Sequence, residues 1–213
     1  MLIMKHEWKK QEKSLYLPKN KPELVTVPSF NFFTIDGKGN PNHEAFAEAI
    51  GVLYSLSYGI KMLPKKGIIP SGYYDYSIYP LEGIWDLSDE GKATQILDAH
   101  SLDKNELVYK IMIRQPDFVT TELAMDTIET VSKKKPHPLL ETVKFEAIED
   151  GLSVQILHNG PYDNEPESFE RMSQFCLENN LERTKLTHRE IYISDARKTA
   201  PEKLKTVLRI SVK

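Results

Sequence analysis

Three stretches of this chain carry side chains that can hold or attack a ligand. In Tyr79-Pro80-Leu81-Glu82-Gly83-Ile84-Trp85 a glycine separates two large aromatics. Strand alternation puts Tyr79, Leu81, Gly83 and Trp85 on one face, so the glycine opens a slot beside Trp85 that suits a flat ligand. The same pattern also suits a core tryptophan beside a β-bulge. In His188-Arg189-Glu190-Ile191-Tyr192-Ile193-Ser194-Asp195, Glu190 and Tyr192 share one face and Ile191 and Ile193 the other. The isoleucine face is expected to pack under a helix, which leaves Glu190 facing solvent or a pocket. A buried glutamate there would have a raised pKa and would serve as a cation partner or a general acid/base. In Gln155-Ile156-Leu157-His158-Asn159-Gly160-Pro161-Tyr162-Asp163, a turn after a strand displays His158, Tyr162 and Asp163. Sites often sit on such turns, although a plain strand-to-helix connection reads the same way.

The aromatics crowd together, with Tyr73, Tyr74, Tyr76, Tyr79 and Trp85 all inside residues 73–85. The Gly72-Tyr73-Tyr74-Asp75-Tyr76 segment reads as a lid or as a surface packed on the N-terminal arm. Other chemistry lacks its signals. There is no phosphate-binding glycine loop, dinucleotide fingerprint or nucleophile elbow. The histidines are scattered without metal-ligand spacing, so neither metal nor cofactor is expected. The net charge of −3 provides no field for nucleic acid or an anionic membrane.

The elements that must position these residues follow from periodicity. The 213 residues, 40% hydrophobic and 28% charged, suffice for one large or two small globular domains. Residues 1–22 read as an extended, Lys-rich arm packed by Trp8 and Tyr16. Residues 23–213 read as one domain of two repeats, about 23–135 and 140–213. In the first, strands at Leu24 to Val27 and Phe30 to Ile35 lead through Gly37 and Gly39 to a helix. Asn40 is its expected N-cap with Pro41 in the first turn, and Ala45, Phe46, Ala49, Ile50, Leu53 and Tyr54 form an apolar face ending near Met62. Strands follow at Tyr76 to Leu87 and Leu107 to Arg114, joined by a connector from Gly91 to Leu102. A helix capped by Thr120 or Thr121 ends at Lys133-Lys134-Lys135-Pro136. The second repeat has strands at Val143 to Ile148 and Leu152 to Leu157, and a helix capped by Asn164. Strands at Arg189 to Ser194 and Leu204 to Val212 close it. Strand, glycine turn, helix and two strands recur in each half. The expected fold is therefore α+β, with two pseudo-twofold β-α-β-β repeats, antiparallel sheets, helices on one side and a ligand cleft where the halves meet.

One cysteine, Cys176, excludes a disulfide framework and fits a reducing cytosol. The charged start is unlike a signal peptide, and no stretch approaches the ~20 apolar residues of a membrane span. A cytoplasmic protein is expected. A monomer is expected too, because no long exposed apolar stripe argues for a dimer.

The sequence as a whole resembles the GyrI-like small-molecule-binding proteins from about residue 15 to its end. The residues that carry the likeness are Pro80-Leu81-Glu82-Gly83-Ile84-Trp85, Ile113-Arg114-Gln115-Pro116-Asp117-Phe118, His158-Asn159-Gly160-Pro161-Tyr162, Glu190-Ile191-Tyr192-Ile193-Ser194-Asp195 and the run from Arg197 to Arg209. The resemblance implies two β-α-β-β repeats around a central cleft. Related domains are effector modules of multidrug-sensing transcription activators, in which a glutamate on a core strand pairs with cationic drugs amid aromatic walls; Glu190 matches that position. Stand-alone relatives hydrolyse the cyclopropane of cyclopropanoid DNA-alkylating agents in an aromatic cage. There the motif continues into a second tryptophan, where this chain has Asp86.

Two function classes follow. As a hydrolase, the protein would stack its substrate on Trp85, Tyr79 and Phe118, with Tyr162, His158 and Tyr54 completing the ligand-binding wall. Glu190 or Glu82 would activate water, and Tyr192 would stabilise charge on the conjugated oxygen. As a binding protein, the same walls and carboxylate would sequester planar cations without turnover. A gyrase inhibitor acting through its surface has no local support. The expected partner is a small molecule, with no nucleic acid and no membrane.

Overall fold

The computed structural model describes residues 5–97 and 103–213. Leu102, the end of the expected connector, lies outside the described residues. Two single-turn helices open the chain, α1 (Trp8–Gln11) and α2 (Lys13–Tyr16). Then come β1 (Glu23–Val27), β2 (Phe30–Lys38), α3 (Glu44–Lys61), β3 (Leu81–Leu87), α4 (Asp89–Leu97), β4 (Leu107–Arg114) and α5 (Thr121–Lys134). The rest of the chain forms β5 (Lys144–Ile148), β6 (Gly151–Asn159), α6 (Glu165–Glu178), β7 (His188–Tyr192) and β8 (Lys205–Ser211). All eight strands form one antiparallel sheet in the order β1-β6-β8-β7-β3-β4-β2-β5.

The repeat is real, and richer than its sequence echo. The units β2-α3-β3-β4 and β6-α6-β7-β8 fill the two halves of the sheet, and β3 meets β7 at the middle. Each unit also owns a leading strand, and these two are exchanged: β1 pairs with β6, and β5 with β2. Glu23 faces Gln155, Val27 faces Gly151 and Phe30 faces Ile148, one unbroken register. Residues 23–38 and 144–159 are thus one antiparallel ribbon, kinked at Pro28-Ser29 and Glu149-Asp150. That ribbon joins the two ends of the sheet and curls it round. Pro28 has no N–H to offer the ladder, which suits a kink.

The helices cover one face of the curl. Ala49, Leu53, Leu56 and Ile60 of α3 pack with Phe33, Ile35, Ile111 and Ile113. Leu53, Leu56 and Ile60 have no exposed surface, and each contributes roughly 1.5–3 kcal/mol by burial. Met172 and Cys176 of α6 pack over Val154, Ile156, Leu208 and Ile210. α3 starts at Glu44 with His43 as its cap rather than at Asn40-Pro41. Asn40 instead accepts the Asn42 N–H at 3.0 Å, an Asx turn leading into the helix. The Thr120 hydroxyl caps α5 by accepting the Leu123 N–H. β3 begins at Leu81, not Tyr76, because Tyr76 makes only an isolated bridge to His6.

The inside of the curl is polar and filled by the arm, which is helical rather than extended. Arg189 Nη1 bonds Glu82 Oε2 at 2.7 Å, and Asp150 links Arg189 (2.7 Å) with Arg209 (3.0 Å). From the arm, Leu15 and Ser14 offer their carbonyls to Arg209 and Gln155. Glu12 receives Arg114 at 2.5 Å and the Tyr79 hydroxyl at 2.8 Å. Each of these buried charges thus has an opposite charge in contact, without which its desolvation would cost several kcal/mol. Trp8 and Tyr16 are both in the core.

Candidate functional site

Between α3 and α6, above the junction of β3 and β7, lies a cleft of ≈ 1090 Å³. The pairing of β3 with β7 sets its floor, with Gly83 opposite Glu190 and Trp85 opposite His188. Alternation from these pairs turns Leu81, Gly83, Trp85, His188, Glu190 and Tyr192 toward the cleft. Glu82, Arg189 and Ile191 turn to the inside of the curl. Ile191 therefore packs away from the helices rather than under one, and Ile193, beyond the end of β7, borders the cleft.

Glycine gives Trp85 its pose. A Cβ on residue 83 would stand 2.6 Å from Trp85 Nε1 and 3.3 Å from Tyr192 Oη. Because Gly83 has none, the indole folds back over it and donates to Tyr192 Oη at 2.8 Å. Tyr192 Oη in turn donates to Glu190 Oε2 at 2.8 Å, while His188 Nε2 lies 3.0 Å from Glu190 Oε1. The sequence reading asked Tyr192 to stabilise charge on the ligand. In this structure its single proton points to Glu190 Oε2, which orients the carboxylate. Burial, then Glu190, raises the Tyr192 pKa well above that of a free phenol.

The aromatic wall is built the same way. A Cβ on Gly37 would fall 2.4 Å from the Tyr109 ring, which lies across that glycine from the neighbouring strand. Tyr109, Trp85 and Phe46 form a triad with centroids 5.0–5.7 Å apart. Asp86, where the resemblance expects a second tryptophan, alternates away from Trp85 and pairs with Lys92 at 2.7 Å. Phe46 lines the cleft beside Trp85, and Tyr109 packs against both rings.

Glu165, at the first turn of α6, is the carboxyl that the sequence reading missed. It is 7% exposed and lies against Glu190, which is 9% exposed. The N-terminus of a helix favours a negative charge. Here burial first, and the Glu190 charge second, outweigh it and raise the Glu165 pKa far above the carboxylate range. Glu165 Oε1 has no donor among the described residues, as expected if this carboxyl carries the proton that lets two carboxyls touch. Its sequence signal, a glutamate before Pro166 at a helix start, is indistinguishable from ordinary N-terminal charge.

The structure brings Glu190, Tyr192, Trp85, Tyr162 and Tyr54 together around the cleft. The Tyr162 ring meets Tyr192 edge-on at 6.0 Å, and its hydroxyl is pushed up to about 12 by burial, then Glu190 and Glu165. Burial, then Asp195, also raises Tyr54. Tyr79 borders the cleft with its hydroxyl tied to Glu12. Three residues lie elsewhere. Glu82 is on the inner face, held by Arg189. His158 is buried between Ser168 Oγ (2.9 Å) and the Pro161 carbonyl (3.1 Å), fastening β6 to α6. Phe118 packs with Tyr73, Tyr74 and Tyr76. Among the described residues no cluster of three metal-ligating side chains occurs, and no helix is long and apolar enough to cross a membrane.

No curated protein matches the chain. Among solved structures, a hydrolase from Listeria innocua is 37% identical with a TM-score of 0.86, covering 98% of this chain and all of its own. A second Listeria innocua hydrolase is 39% identical with a TM-score of 0.87, covering 99% of this chain and all of its own. The EcmrR C-terminal domain shares the fold at 14% identity and a TM-score of 0.52, over 91% of this chain and 97% of that domain. The GyrI-like small molecule binding domain matches residues 90–213. With its two exchanged repeats and the cleft between them, the chain belongs to the GyrI-like small-molecule-binding family.

Proposed function

We propose that this protein binds planar xenobiotics in the α3–α6 cleft and hydrolyses the cyclopropane ring of cyclopropanoid DNA-alkylating agents, protecting the cell. One observation carries the reading: two buried carboxyls, Glu190 and Glu165, lie side by side at the end of an aromatic wall, where burial and then the Glu190 charge raise the Glu165 pKa. A buried carboxyl with a raised pKa beside a second carboxyl in a cleft is a mark of acid–base chemistry. The likeness over the whole chain to two Listeria hydrolases supports a hydrolytic step.

In the proposed reaction the ligand stacks on Trp85, and a water between it and Glu190 attacks the strained ring methylene. A C–O bond forms and a ring C–C bond breaks, with its electron pair passing to the conjugated oxygen. Glu190 takes the proton from the water, and the new phenolate is protonated by solvent at the open side. Water is thereby added across the ring, and the protonated pair releases one proton to solvent. Glu165, Tyr192 and His188 hold Glu190 in place. A lone general base contributes roughly 10²–10⁴-fold.

A second reading, sequestration without turnover, rests on a different observation. Both Glu190 oxygens already have partners in His188 and Tyr192, which suits a fixed counter-charge for a planar cation. Mass-resolved chromatography of a cyclopropanoid alkylator incubated with wild type and with Glu190→Gln separates the two. A water adduct formed by wild type and reduced at least about a hundredfold in the variant supports hydrolysis. Unchanged ligand that quenches Trp85 fluorescence supports sequestration and removes the hydrolytic step.

A further inference from the structure

We infer that Glu12 is a positioning residue for the cleft: through Tyr79 it locks the wall at residues 76–80 to the N-terminal arm, so that this wall keeps its shape only while the arm is seated. The inference rests on the cleft as the binding site in the reading above. Tyr76, Ser77, Ile78, Tyr79 and Pro80 all line the cleft, yet they precede β3 and lie outside the eight-stranded sheet. Pro80 has no N–H with which to join a ladder. The arm supplies partners in place of a strand. His6 donates its N–H to the Asp75 carbonyl at 2.6 Å, and its own carbonyl accepts the Ser77 N–H at 2.8 Å. Trp8 Nε1 donates to the Ile78 carbonyl at 2.9 Å. Backbone groups left unpaired away from water are costly, so release of the arm disturbs several at once.

Glu12 stands where the arm, the wall and β4 meet. Its Oε1 accepts the Tyr79 hydroxyl at 2.8 Å and lies 2.7 Å from His6 Nε2, while its Oε2 accepts from Arg114 Nη1 at 2.5 Å. The Arg114 guanidinium lies over the rings of both Tyr79, at 4.4 Å, and Phe30, at 3.3 Å. Tyr16 of the arm flanks Tyr79 with centroids 5.8 Å apart. Among the described residues Glu12 is the acid paired with buried Arg114. Filling the core needs only Trp8 and Tyr16; a carboxylate at this point does more, because it holds one charged and two polar groups from three parts of the chain. Burial acts to raise the Glu12 pKa, but Arg114, His6 and Tyr79 together outweigh burial and lower it, so Glu12 is charged at neutral pH.

Hydrogen exchange read by mass spectrometry follows the arm and residues 75–80 together in the full chain, with and without ethidium as a planar cationic probe. Tyr79→Phe removes the hydroxyl but leaves the Glu12–Arg114 pair, so it tests the lock without stranding the arginine. A hydrogen bond to a charged group holds back opening by about tenfold or more. In Tyr79→Phe the arm and residues 75–80 should exchange faster together by about that factor, with α6 and β6 as in wild type. Glu12→Gln should do at least as much, and Tyr79→Phe added to it should change little more, since both break one link. Ethidium that binds only the seated form should slow both segments in wild type, about tenfold at ten times its Kd. Its Kd in Tyr79→Phe should stay close to that of wild type, because the seated form still predominates. Unchanged exchange in Tyr79→Phe, faster exchange in the arm alone or evenly across the chain, or bound ethidium that slows neither segment overturns the lock. If wild type binds no ethidium, the cleft reading falls, and the exchange of the variants still decides the lock.

Discussion

Gly83→Ala tests whether the head of the cleft is built as described. The new Cβ would sit 2.6 Å from Trp85 Nε1, whereas unstrained contacts lie near ~3.5–4 Å. The indole must retreat by about 1 Å. Phe46 and Tyr109 stack against it at 5.7 and 5.3 Å, so it cannot swing freely. Retreat also breaks the 2.8 Å bond to Tyr192 and loosens the group that orients Glu190. Overpacking costs about 1–3 kcal/mol and a lost hydrogen bond about 1 kcal/mol. The expected loss is therefore about 2–4 kcal/mol, a fall in Tm of roughly 5–15 °C for a chain of this size. Affinity for a planar ligand should fall about tenfold, near 1.4 kcal/mol. Urea unfolding and tryptophan-quench titration measure both. Gly51→Ala is the control: it is exposed on α3 with nothing within 4 Å of a new Cβ, and it should gain about 0.5–1 kcal/mol. A Gly83→Ala protein with wild-type melting and wild-type quenching would refute the anchored-indole account.

Glu165 has a folded pKa above its unfolded one, so its contribution is full at low pH and is lost as pH rises through the folded value. Between the two values, wild type should lose stability at up to about 1.4 kcal/mol for each step of one pH unit, and Glu165→Gln should flatten that slope in urea titrations at several pH values. Asp150 behaves oppositely. Burial alone would raise its pKa, but Arg189 and Arg209 outweigh burial and lower it. Stability should therefore drop as pH falls below the ordinary aspartate range, and Asp150→Asn should remove that acid limb. Glu82→Gln should cost about 2–4 kcal/mol by weakening the hold on buried Arg189, with ligand affinity preserved in the folded protein. Lost turnover at unchanged stability would instead place Glu82 in the reaction.

Much of the fold was legible because it is written in short-range periodicity. The α3 stripe, the Thr120 cap and the β4 strand needed only their own residues. The repeat was visible as an order of elements, but its exchanged leading strands were not, because pairing Glu23 with Gln155 is a long-range choice that local pattern does not encode. Site residues followed the same rule. Trp85, Glu190 and Tyr192 were readable from alternation along two strands. Glu82 lies on the face away from the cleft, and strand alternation gives two faces without saying which one meets the helices. His158 read as displayed on a turn and Phe118 as part of the stacking wall, yet each packs within a cluster that only tertiary structure assembles. Glu165 became chemically unusual only through the neighbour that folding places beside it.

The exchanged strands also set an order of events during synthesis. β1 emerges early but finds its partner only when residues 151–155 follow, well over a hundred residues later. Until then neither the first repeat nor the arm that plugs the curl has its final neighbours. Contacts of such separation slow folding, and the β1–β6 ladder should close among the last steps. A ribosome-bound fragment ending after α5 would hold β1 without its partner strand, and β2 without β5, as exposed sheet edges open to association. The clasp that makes the two halves inseparable once folded therefore makes the half-made chain the state most in need of protection.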